Sequence, residues 1–396
     1  MSGLREVLAE RTRLLCEIKS PLGEEAEIAR HVADAGSKAW FGEIERIGNS
    51  VVLGGLSQKR PGIVLFGHLD TVPIQEGDFP ARREGGRVYG RGASDMKGAL
   101  AVMLTLGEQL DRARLRGELV LVFYDREEGP YETNGLGPVL AARPDLRGAA
   151  VAFCLEPTDL AVQAGCCGSM HATFTFRGRT AHSARPWQGK NAVHEAGALL
   201  VALRALAPKE VRVGELTFRE AMNVTRIQGF DGRNVLPARC DLNVNFRFAP
   251  GKSVAQAEAE LRALAERFGA ECEIVDRAPA GDPILDNPLL KSFRALTGIP
   301  VESKQAWTDV ARLGLAGITA ANFGPGEQAQ AHQRNESCSE EALERGYLLL
   351  ERFLTEEPAL PATGGGRRPQ HPTEEPALPA SPVAKAGRPR DPTEEP

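Results

Sequence analysis

Two side chains with metal-binding chemistry, His68 and Asp70, follow a strongly apolar run in the sequence. The run, residues 63–66, consists of Ile-Val-Leu-Phe with glycine on both sides, which is typical of a buried β-strand. In open α/β sheets, ligands bind at the carboxyl ends of the strands, where His68 would lie. Asp70 could accept the second ring N–H of His68, since the two share a face in extended chain. A buried, hydrogen-bonded histidine beside a turn explains this stretch equally well on its own.

Further carboxylates and a second imidazole are placed where other predicted strands or loops end. One apolar run leads into Glu127 and Glu128, and a later run leads into Glu156. Asp95 lies between two glycines close to a predicted helix start, where a capping role would also explain an aspartate. His332 follows a glycine-rich return. One acid at a strand end means little, but three strand ends with a potential ligand each predict a shared site.

The donor types of this set indicate a particular kind of metal. Two imidazoles and three carboxylates suit borderline first-row metals, zinc first with cobalt or manganese as alternatives, rather than calcium. Three carboxylates and a bridging hydroxide would need two divalent ions for neutrality. Such ions lie about 3.5–4 Å apart and share a carboxylate, for which Asp95 is the natural choice. Glu127 points away from Glu128 on extended backbone, so it could pass a proton from water to a leaving amine.

The elements that would position these residues indicate an α/β fold. Apolar runs alternate with helical patterns, which predicts a central, mostly parallel sheet with helices on both faces. Residues 168–276 differ, because their order of strand, helix, strand, strand, helix, strand is that of a ferredoxin-like α+β domain. We therefore predict a catalytic domain formed by residues 1–167 and 277–354, with residues 168–276 inserted as a dimerisation or lid domain.

The last segment of the chain has a distinct composition. Ten of the 27 prolines lie in residues 355–396, together with three Thr-Glu-Glu-Pro units. Such a segment has little apolar surface to bury, so we predict a disordered tail.

The composition and net charge argue against several classes of protein. The 396 residues are 42% hydrophobic and 26% charged, which is ordinary for a globular chain of more than one domain. A net charge of -5 indicates no nucleic-acid partner, and no apolar run is long enough to span a bilayer. The first residues lack the apolar core of a secretory signal. Seven cysteines without paired spacing predict a reduced, cytoplasmic protein.

Five motifs, in their order along the chain, resemble the M20 metallopeptidase family, with its zinc-peptidase-like catalytic domain. They are Gly67-His68-Leu69-Asp70-Thr71-Val72-Pro73, Gly90-Arg91-Gly92-Ala93-Ser94-Asp95-Met96-Lys97-Gly98, Glu127-Glu128, Glu156-Pro157 and His332. With the inserted domain, the resemblance covers about residues 1–354. Within the family, the chain is most similar to the succinyl-diaminopimelate desuccinylases, especially their actinobacterial branch. Residues 165–168, 180–187 and 305–312 carry that narrower similarity.

The resemblance implies how the ligands divide between two zinc ions. His68 and Glu156 would bind one ion, and Glu128 and His332 the other. Asp95 would lie between the two ions.

The resemblance also implies roles outside the ligand set. Asp70 would orient the first metal histidine, and Glu127 would be the general base. His182, from the inserted domain, would donate to the oxyanion in a partner subunit's site, which requires a homodimer. Asn234 and Arg247 match positions that hold substrate, Arg247 through its bidentate fork. From sequence alone, His182 is better explained as a surface-loop residue and Arg247 as one on an exposed strand face.

The implied activity is hydrolysis of a small N-acyl amino acid. It would be removal of succinate from N-succinyl-LL-2,6-diaminopimelate by a two-zinc amidohydrolase, in lysine and peptidoglycan precursor synthesis. Better-known desuccinylases carry two arginines where this chain has Cys166-Cys167, which leaves the acyl group open. An acetylornithine deacetylase, or another aminoacylase or carboxypeptidase of the family, is the alternative hydrolase. A metal-free binding protein on the same scaffold is the alternative without catalysis.

Overall fold

Strands and helices alternate along the chain, which a computed structural model describes over residues 2–39, 42–229 and 232–356. The strands are β1 (Ile44–Ile47), β2 (Ser50–Leu53), β3 (Gly62–His68), β4 (Arg82–Glu84), β5 (Arg87–Tyr89), β6 (Glu118–Tyr124), β7 (Ala149–Cys154), β8 (Val162–Ala164), β9 (Gly168–Arg177), β10 (Lys209–Val213), β11 (Leu216–Gln228), β12 (Arg239–Phe248), β13 (Glu271–Ala278), β14 (Val301–Ser303), β15 (Ala320–Asn322) and β16 (Ser337–Ser339). The α-helices are α1 (Ser2–Glu17), α2 (Ala26–Gly36), α3 (Gly98–Gln109), α4 (Leu136–Ala142), α5 (Ala192–Ala205), α6 (Val254–Arg267), α7 (Pro288–Thr297), α8 (Val310–Leu315) and α9 (Glu340–Thr355).

The largest sheet has eight strands in the order β1-β2-β6-β3-β7-β15-β8-β14. Its centre is parallel, because β6, β3, β7 and β15 all run the same way. The β1–β2, β2–β6 and β15–β8 pairs are antiparallel, and β14 pairs with β8 in parallel. The predicted α/β fold is confirmed, with the parallel strands at the middle of a mixed sheet.

Both faces of this sheet are buried, which explains the continuous apolar run of β3. Ile63 and Leu65 belong to a core shared with α1, α2, α3, α7 and α9. Val64 and Phe66 point the other way, into a second core shared with α4 and α8. A strand covered on both faces can present a side chain to a ligand only where the strand ends. His68 is the last residue of β3.

The second sheet is antiparallel, with five strands in the order β10-β11-β12-β9-β13. Helices α5 and α6 pack against it through a shared core. Apart from β10, its elements follow the predicted ferredoxin-like order. Strand β10 was not predicted, and it pairs with the first half of β11 at the sheet edge. Both sheets belong to one compact unit, so the domain boundaries at residues 168 and 276 stay predictions.

A third, small sheet joins distant parts of the chain. Strands β4 and β5 form a hairpin, and β16 pairs with β5. The sequence did not predict these strands, because strands of three residues carry too little pattern to detect. This sheet fixes the segment between His332 and α9.

The carboxyl-terminal prediction falls mostly outside the described residues. Helix α9 runs to Thr355, and the predicted disordered tail lies beyond the described part of the chain from residue 357 onward. Among the residues that are described, no helix combines the length and the apolar character needed to cross a bilayer.

Candidate metal centre

His68 is buried at the carboxyl end of β3, where Asp70 fixes its ring in an unexpected way. Its Nδ1 lies 3.0 Å from the backbone carbonyl oxygen of Asp70, but 3.7 Å from the Asp70 carboxylate. That carboxylate accepts the backbone N–H groups of Glu127 at 2.9 Å and Glu128 at 2.8 Å. The nearer acceptor for the imidazole is therefore the carbonyl oxygen, and the carboxylate positions the next loop instead.

Asp95 lies between two histidines from distant parts of the chain. Its Oδ1 is 3.1 Å from Nε2 of His68, and its Oδ2 is 3.4 Å from Nε2 of His332. The same nitrogen of His332 is 2.8 Å from Oε1 of Glu128. The two carboxylate oxygens thus face different imidazoles, which is the arrangement that a shared carboxylate requires.

Two groups of three potential ligands meet at Asp95. One group contains His68, Asp95 and Glu156, and the other contains Asp95, Glu128 and His332. Within each group, one ligand atom per residue lies within 4.8 Å of the others. The structure therefore brings together all five residues that the sequence singled out. Their role as metal ligands stays a prediction.

A buried carboxylate oxygen in this cluster supports the presence of cations. Oε1 of Glu156 is buried and has no hydrogen-bond partner among the residues described. Leaving such an acceptor unpaired costs about 1–3 kcal/mol, which a bound cation would offset. The mixture of imidazole and carboxylate donors also fits borderline divalent ions. The residues present therefore fit a pair of metal ions.

Burial and the close approach of charged groups shift the pKa values of the cluster. Burial, and then the charge of Asp95, raise the pKa of Glu156 to about 7. Burial, with repulsion from Glu156, also raises the pKa of Glu127 well above its usual value. Although burial opposes it, hydrogen bonds with the two histidines lower the pKa of Asp95. Hydrogen bonds with Asp95 and Glu128 raise the pKa of His332 to about 10. Protons and cations therefore compete for the same groups.

Glu336 fixes the loop that carries Asp95, and the sequence analysis did not single it out. Its carboxylate accepts hydrogen bonds from the backbone N–H groups of Gly92, Ser94 and Asp95, each at 2.9 Å. It also accepts one from Nη1 of Arg91 at 3.0 Å. The Glu336 and Arg91 side chains are each 1% exposed. Four donors on one buried carboxylate hold the loop in a single conformation. A lone glutamate in a polar loop offers no sequence signal for such a role.

The cluster opens into a cavity of about 560 Å³ between the mixed sheet and the antiparallel sheet. Glu127 lines it next to the cluster, and Arg247 of β12 lines the wall formed by the antiparallel sheet. Nε of Arg247 donates to Oδ1 of Asn245 at 3.1 Å. Lys304 and Trp307, from the segment after β14, line another wall. Of the residues predicted to hold substrate, Arg247 thus lies in the cavity.

His182 and Asn234 lie outside this cavity. Both are exposed, and they belong to two loops that pair with each other. The N–H of Ser183 donates to the carbonyl oxygen of Asn234 at 2.9 Å. Neither residue is among the described residues that line the cavity of its own chain. Roles for them in a partner's cavity stay predictions.

A cluster of imidazoles and carboxylates at the carboxyl edge of an α/β sheet, open to a deep cleft, defines the class as metal-dependent hydrolases. The family model of peptidase family M20/M25/M40 matches residues 64–356. The chain belongs to this family. The predicted resemblance and the predicted class of enzyme, a metal-dependent amide hydrolase, are therefore confirmed.

Relatives with assigned names cover most of the chain. A Mycobacterium tuberculosis protein named "Putative succinyl-diaminopimelate desuccinylase DapE" is 38% identical over 89% of this chain and 99% of its own length. A succinyl-diaminopimelate desuccinylase of Corynebacterium glutamicum is 34% identical over 87% of this chain and 95% of its own. An acetylornithine deacetylase of Myxococcus xanthus is 28% identical over 84% of this chain and 88% of its own.

Solved structures of the family share the fold. The YXEP protein of Bacillus subtilis, a dinuclear metal-binding peptidase of family M20, matches with a TM-score of 0.61 and 18% identity over 90% of this chain and 98% of its own. The M20 metallo-carboxypeptidase Sso-CP2 of Sulfolobus solfataricus matches with a TM-score of 0.66 and 17% identity over 90% of this chain and 99% of its own. At these identities the comparison concerns the fold alone.

Replacing Glu336 by glutamine is expected to weaken metal binding and stability together. The amide keeps one acceptor oxygen and turns an NH2 group toward backbone N–H donors, which breaks a buried network at a cost of about 2–4 kcal/mol. Calorimetry measures the fall in melting temperature, and competition with a chromophoric chelator measures the loss of zinc affinity.

Glu344→Gln is the matched control, because Glu344 pairs with Arg5 at the surface. Its effect on the free energy of unfolding is expected to stay within about 0.5 kcal/mol. Equal behaviour of the two variants would show that Glu336 does not support the Asp95 loop.

Zinc affinity is expected to rise with pH as the cluster loses protons. The pKa of Glu156 is raised to about 7 and that of His332 to about 10, so both groups carry protons in acid and must release them to bind a cation. Each released proton strengthens apparent binding about tenfold per pH unit. Competition titrations between about pH 6 and 8, in buffers of different ionisation enthalpy, measure both slope and proton release. A flat profile would contradict the competition between protons and cations.

Proposed function

We propose that the chain is a two-metal amide hydrolase that cleaves N-succinyl-LL-2,6-diaminopimelate into succinate and LL-2,6-diaminopimelate. The observation that carries the proposal is the pair of three-residue ligand groups that share Asp95. The Glu127 carboxylate belongs to neither group, although it comes within 4.8 Å of ligand atoms of His68 and Glu128, and it lines the same cavity. A two-metal hydrolase needs both the cations and a separate group that moves the proton.

The substrate and the setting are supported by the relatives and by the cysteines. The similar proteins of M. tuberculosis and C. glutamicum carry the name of succinyl-diaminopimelate desuccinylases. Such an activity serves lysine and peptidoglycan precursor synthesis and needs a small N-acyl amino acid as its substrate. All seven cysteines are unpaired, which is in keeping with a cytoplasmic location. The proposal includes no nucleic-acid or membrane partner.

We assign His68 and Glu156 to one cation and Glu128 and His332 to the other, with Asp95 shared. Zinc suits these mixed nitrogen and oxygen donors best, and cobalt or manganese are the alternatives. When bound, the two cations supply Lewis acidity to the amide carbonyl and to the attacking water.

Glu127 is proposed to move the proton between the attacking water and the leaving amine. Its backbone N–H donates to the Asp70 carboxylate at 2.9 Å, which fixes the residue at the edge of the cavity. Its own carboxylate makes no hydrogen bond with the described residues, so it is available to substrate and water. Glu127 takes a proton from the water as that oxygen attacks the amide carbon. It then gives the proton to the nitrogen as the carbon–nitrogen bond breaks. Its raised pKa suits a group that holds a proton between two steps.

The proposal includes a homodimer that completes the cavity. His182 lies outside the cavity of its own chain, yet a ring N–H is well suited to stabilise the developing oxyanion. In a dimer formed through the antiparallel sheet, His182 of the partner subunit would supply that donor. Trp187, in the same loop, is 75% exposed, and Ile227 near the end of β11 is 57% exposed. Burying such side chains against a second copy would favour the dimer.

Deacetylation of acetylornithine is the second candidate function. The M. xanthus relative carries that name. Cys166 and Cys167 also favour it, because both thiols are fully buried and supply no positive charge for the carboxylate of a succinyl group.

The wild-type protein is expected to hydrolyse N-succinyl-LL-2,6-diaminopimelate with a higher kcat/KM than acetylornithine. Glu127→Gln is expected to keep its zinc and to lose about 10²–10⁴-fold in kcat, because an amide cannot take up the proton. Initial rates of amine release, with zinc content measured on the same samples, test both expectations.

Glu132→Gln is the matched control, because Glu132 is exposed on the same loop, and it is expected to match the wild-type rate. A preference for acetylornithine would replace the proposed substrate. Full activity of Glu127→Gln would exclude Glu127 as the proton carrier.

Mixing two inactive variants is expected to restore activity if His182 acts across the dimer. In a heterodimer of Glu127→Gln and His182→Ala, one cavity combines an intact Glu127 with an intact His182 of the partner subunit. Random exchange then restores about a quarter of the wild-type rate, since half of the dimers have one complete site. Rates after co-refolding, compared with each variant refolded alone, measure the effect. Absence of recovery in dimers shown by sedimentation to be mixed would contradict the shared site.

A further inference from the structure

Lys304 is a buried cation on the cavity wall, and its charge partly offsets the raised pKa of Glu156 without an ion pair between the two side chains. It is 4% exposed, and its Nζ donates to the carbonyl oxygen of Pro157 at 2.9 Å. No carboxylate of the described residues forms an ion pair with this ammonium group. An ammonium group has three N–H donors, and a buried one without an anion is costly. Since Lys304 lines the cavity, a bound anion can supply the missing partner.

The other cation of the cavity, Arg247, has different neighbours. It shares its wall with Asp276 of β13, and both line the cavity. His171 of β9 lies between their strands, because it pairs with Asn245 on one side and with Asp276 on the other. A wall that offers a cation and an anion together complements a group with both charges, such as a free amino acid end.

The proposed substrate has two charged ends that match these two walls. Its free amino-acid end carries an ammonium group and a carboxylate, and its succinyl end carries a carboxylate alone. A third carboxylate lies between them, next to the amide nitrogen. The wall with Arg247 and Asp276 suits the first end, and Lys304, a cation that forms no ion pair with a described residue, suits the second. We propose that Lys304 determines acyl specificity by binding the carboxylate of the succinyl group, an inference that rests on the proposed function.

The segment that carries Lys304 lies beside the cysteine pair. The backbone N–H of Cys167 donates to the carbonyl oxygen of Lys304 at 3.2 Å, so the cysteine pair and Lys304 lie on adjacent segments. Cys166 and Cys167 are uncharged in this position, because burial of both thiols raises their pKa values. The positive charge that the cysteine pair lacks is therefore present one segment away.

The test compares two substrates that share the amine and differ only in the acyl carboxylate, N-succinyl- and N-acetyl-LL-2,6-diaminopimelate. Lys304→Gln keeps an N–H donor for Pro157 and removes the charge. It is expected to lower the ratio of kcat/KM, succinyl over acetyl, by about 10- to 100-fold. The ratio comes from one sample, so partial unfolding or zinc loss cancels. Lys304→Ser is a second neutral variant in case the first does not fold, and calorimetric binding of free succinate is expected to weaken by the same factor.

Arg247→Gln is the matched control, because it removes the other cation of the same cavity. It is expected to lower kcat/KM for both substrates and to leave their ratio within about threefold of wild type. The assignment would be overturned, while the proposed function stands, if Lys304→Gln left the succinyl-over-acetyl ratio of kcat/KM unchanged. It would also be overturned if only Arg247→Gln lowered that ratio. A wild-type preference for the acetyl substrate would overturn the proposed function and this inference with it.

Discussion

The candidate site depends on one buried carboxylate that is not itself part of the ligand groups, that of Glu336. Asp95 can face two imidazoles only if its loop has a fixed backbone, and three N–H groups of that loop donate to Glu336. A second acid so close to Asp95 would repel it. Arg91 offsets this charge, because its guanidinium lies between Glu336 and Asp78, with Nε 3.0 Å from the latter. The geometry at Asp95 is therefore set by a network of buried ion pairs and hydrogen bonds behind the loop.

A second buried carboxylate, that of Asp70, positions the neighbouring loop in the same way. The Asp70 carboxylate accepts the backbone N–H groups of Glu127 and Glu128, just as Glu336 accepts those around Asp95. Because both networks act on the backbone, the candidate carboxylate ligands have only the two histidines of the described part of the chain, or a bound cation, as partners. The unpaired oxygen of Glu156 is the clearest case. A site that has to bind cations and carry a proton needs such side chains, held in place but not neutralised.

Local sequence patterns allowed the candidate metal ligands to be predicted. The residues that fix the loops of these ligands could not be predicted, because they act through tertiary contacts. An apolar run and the glycine that ends it are adjacent in sequence, so the position of His68 at a strand end could be derived from the sequence. Spacing also suggested that the Asp70 carboxylate would face His68, but the amides of a distant loop compete for it more effectively. Glu336 and Lys304 were missed for the same reason. Both lie close in sequence to segments that were singled out, His332 and residues 305–312, yet no local pattern indicates which groups their side chains contact.

In the proposed site, the hydrolytic chemistry and the choice of substrate come from different parts of the fold. The candidate cation ligands come largely from strand ends of the mixed sheet and from loops fixed to them. Arg247 and Asp276 come from the antiparallel sheet, and Lys304 from the segment after β14. A change of charge on either of these walls leaves the backbone networks around Asp95 and Asp70 intact. Members of one family can therefore carry different substrate names, as the M. tuberculosis and M. xanthus relatives do.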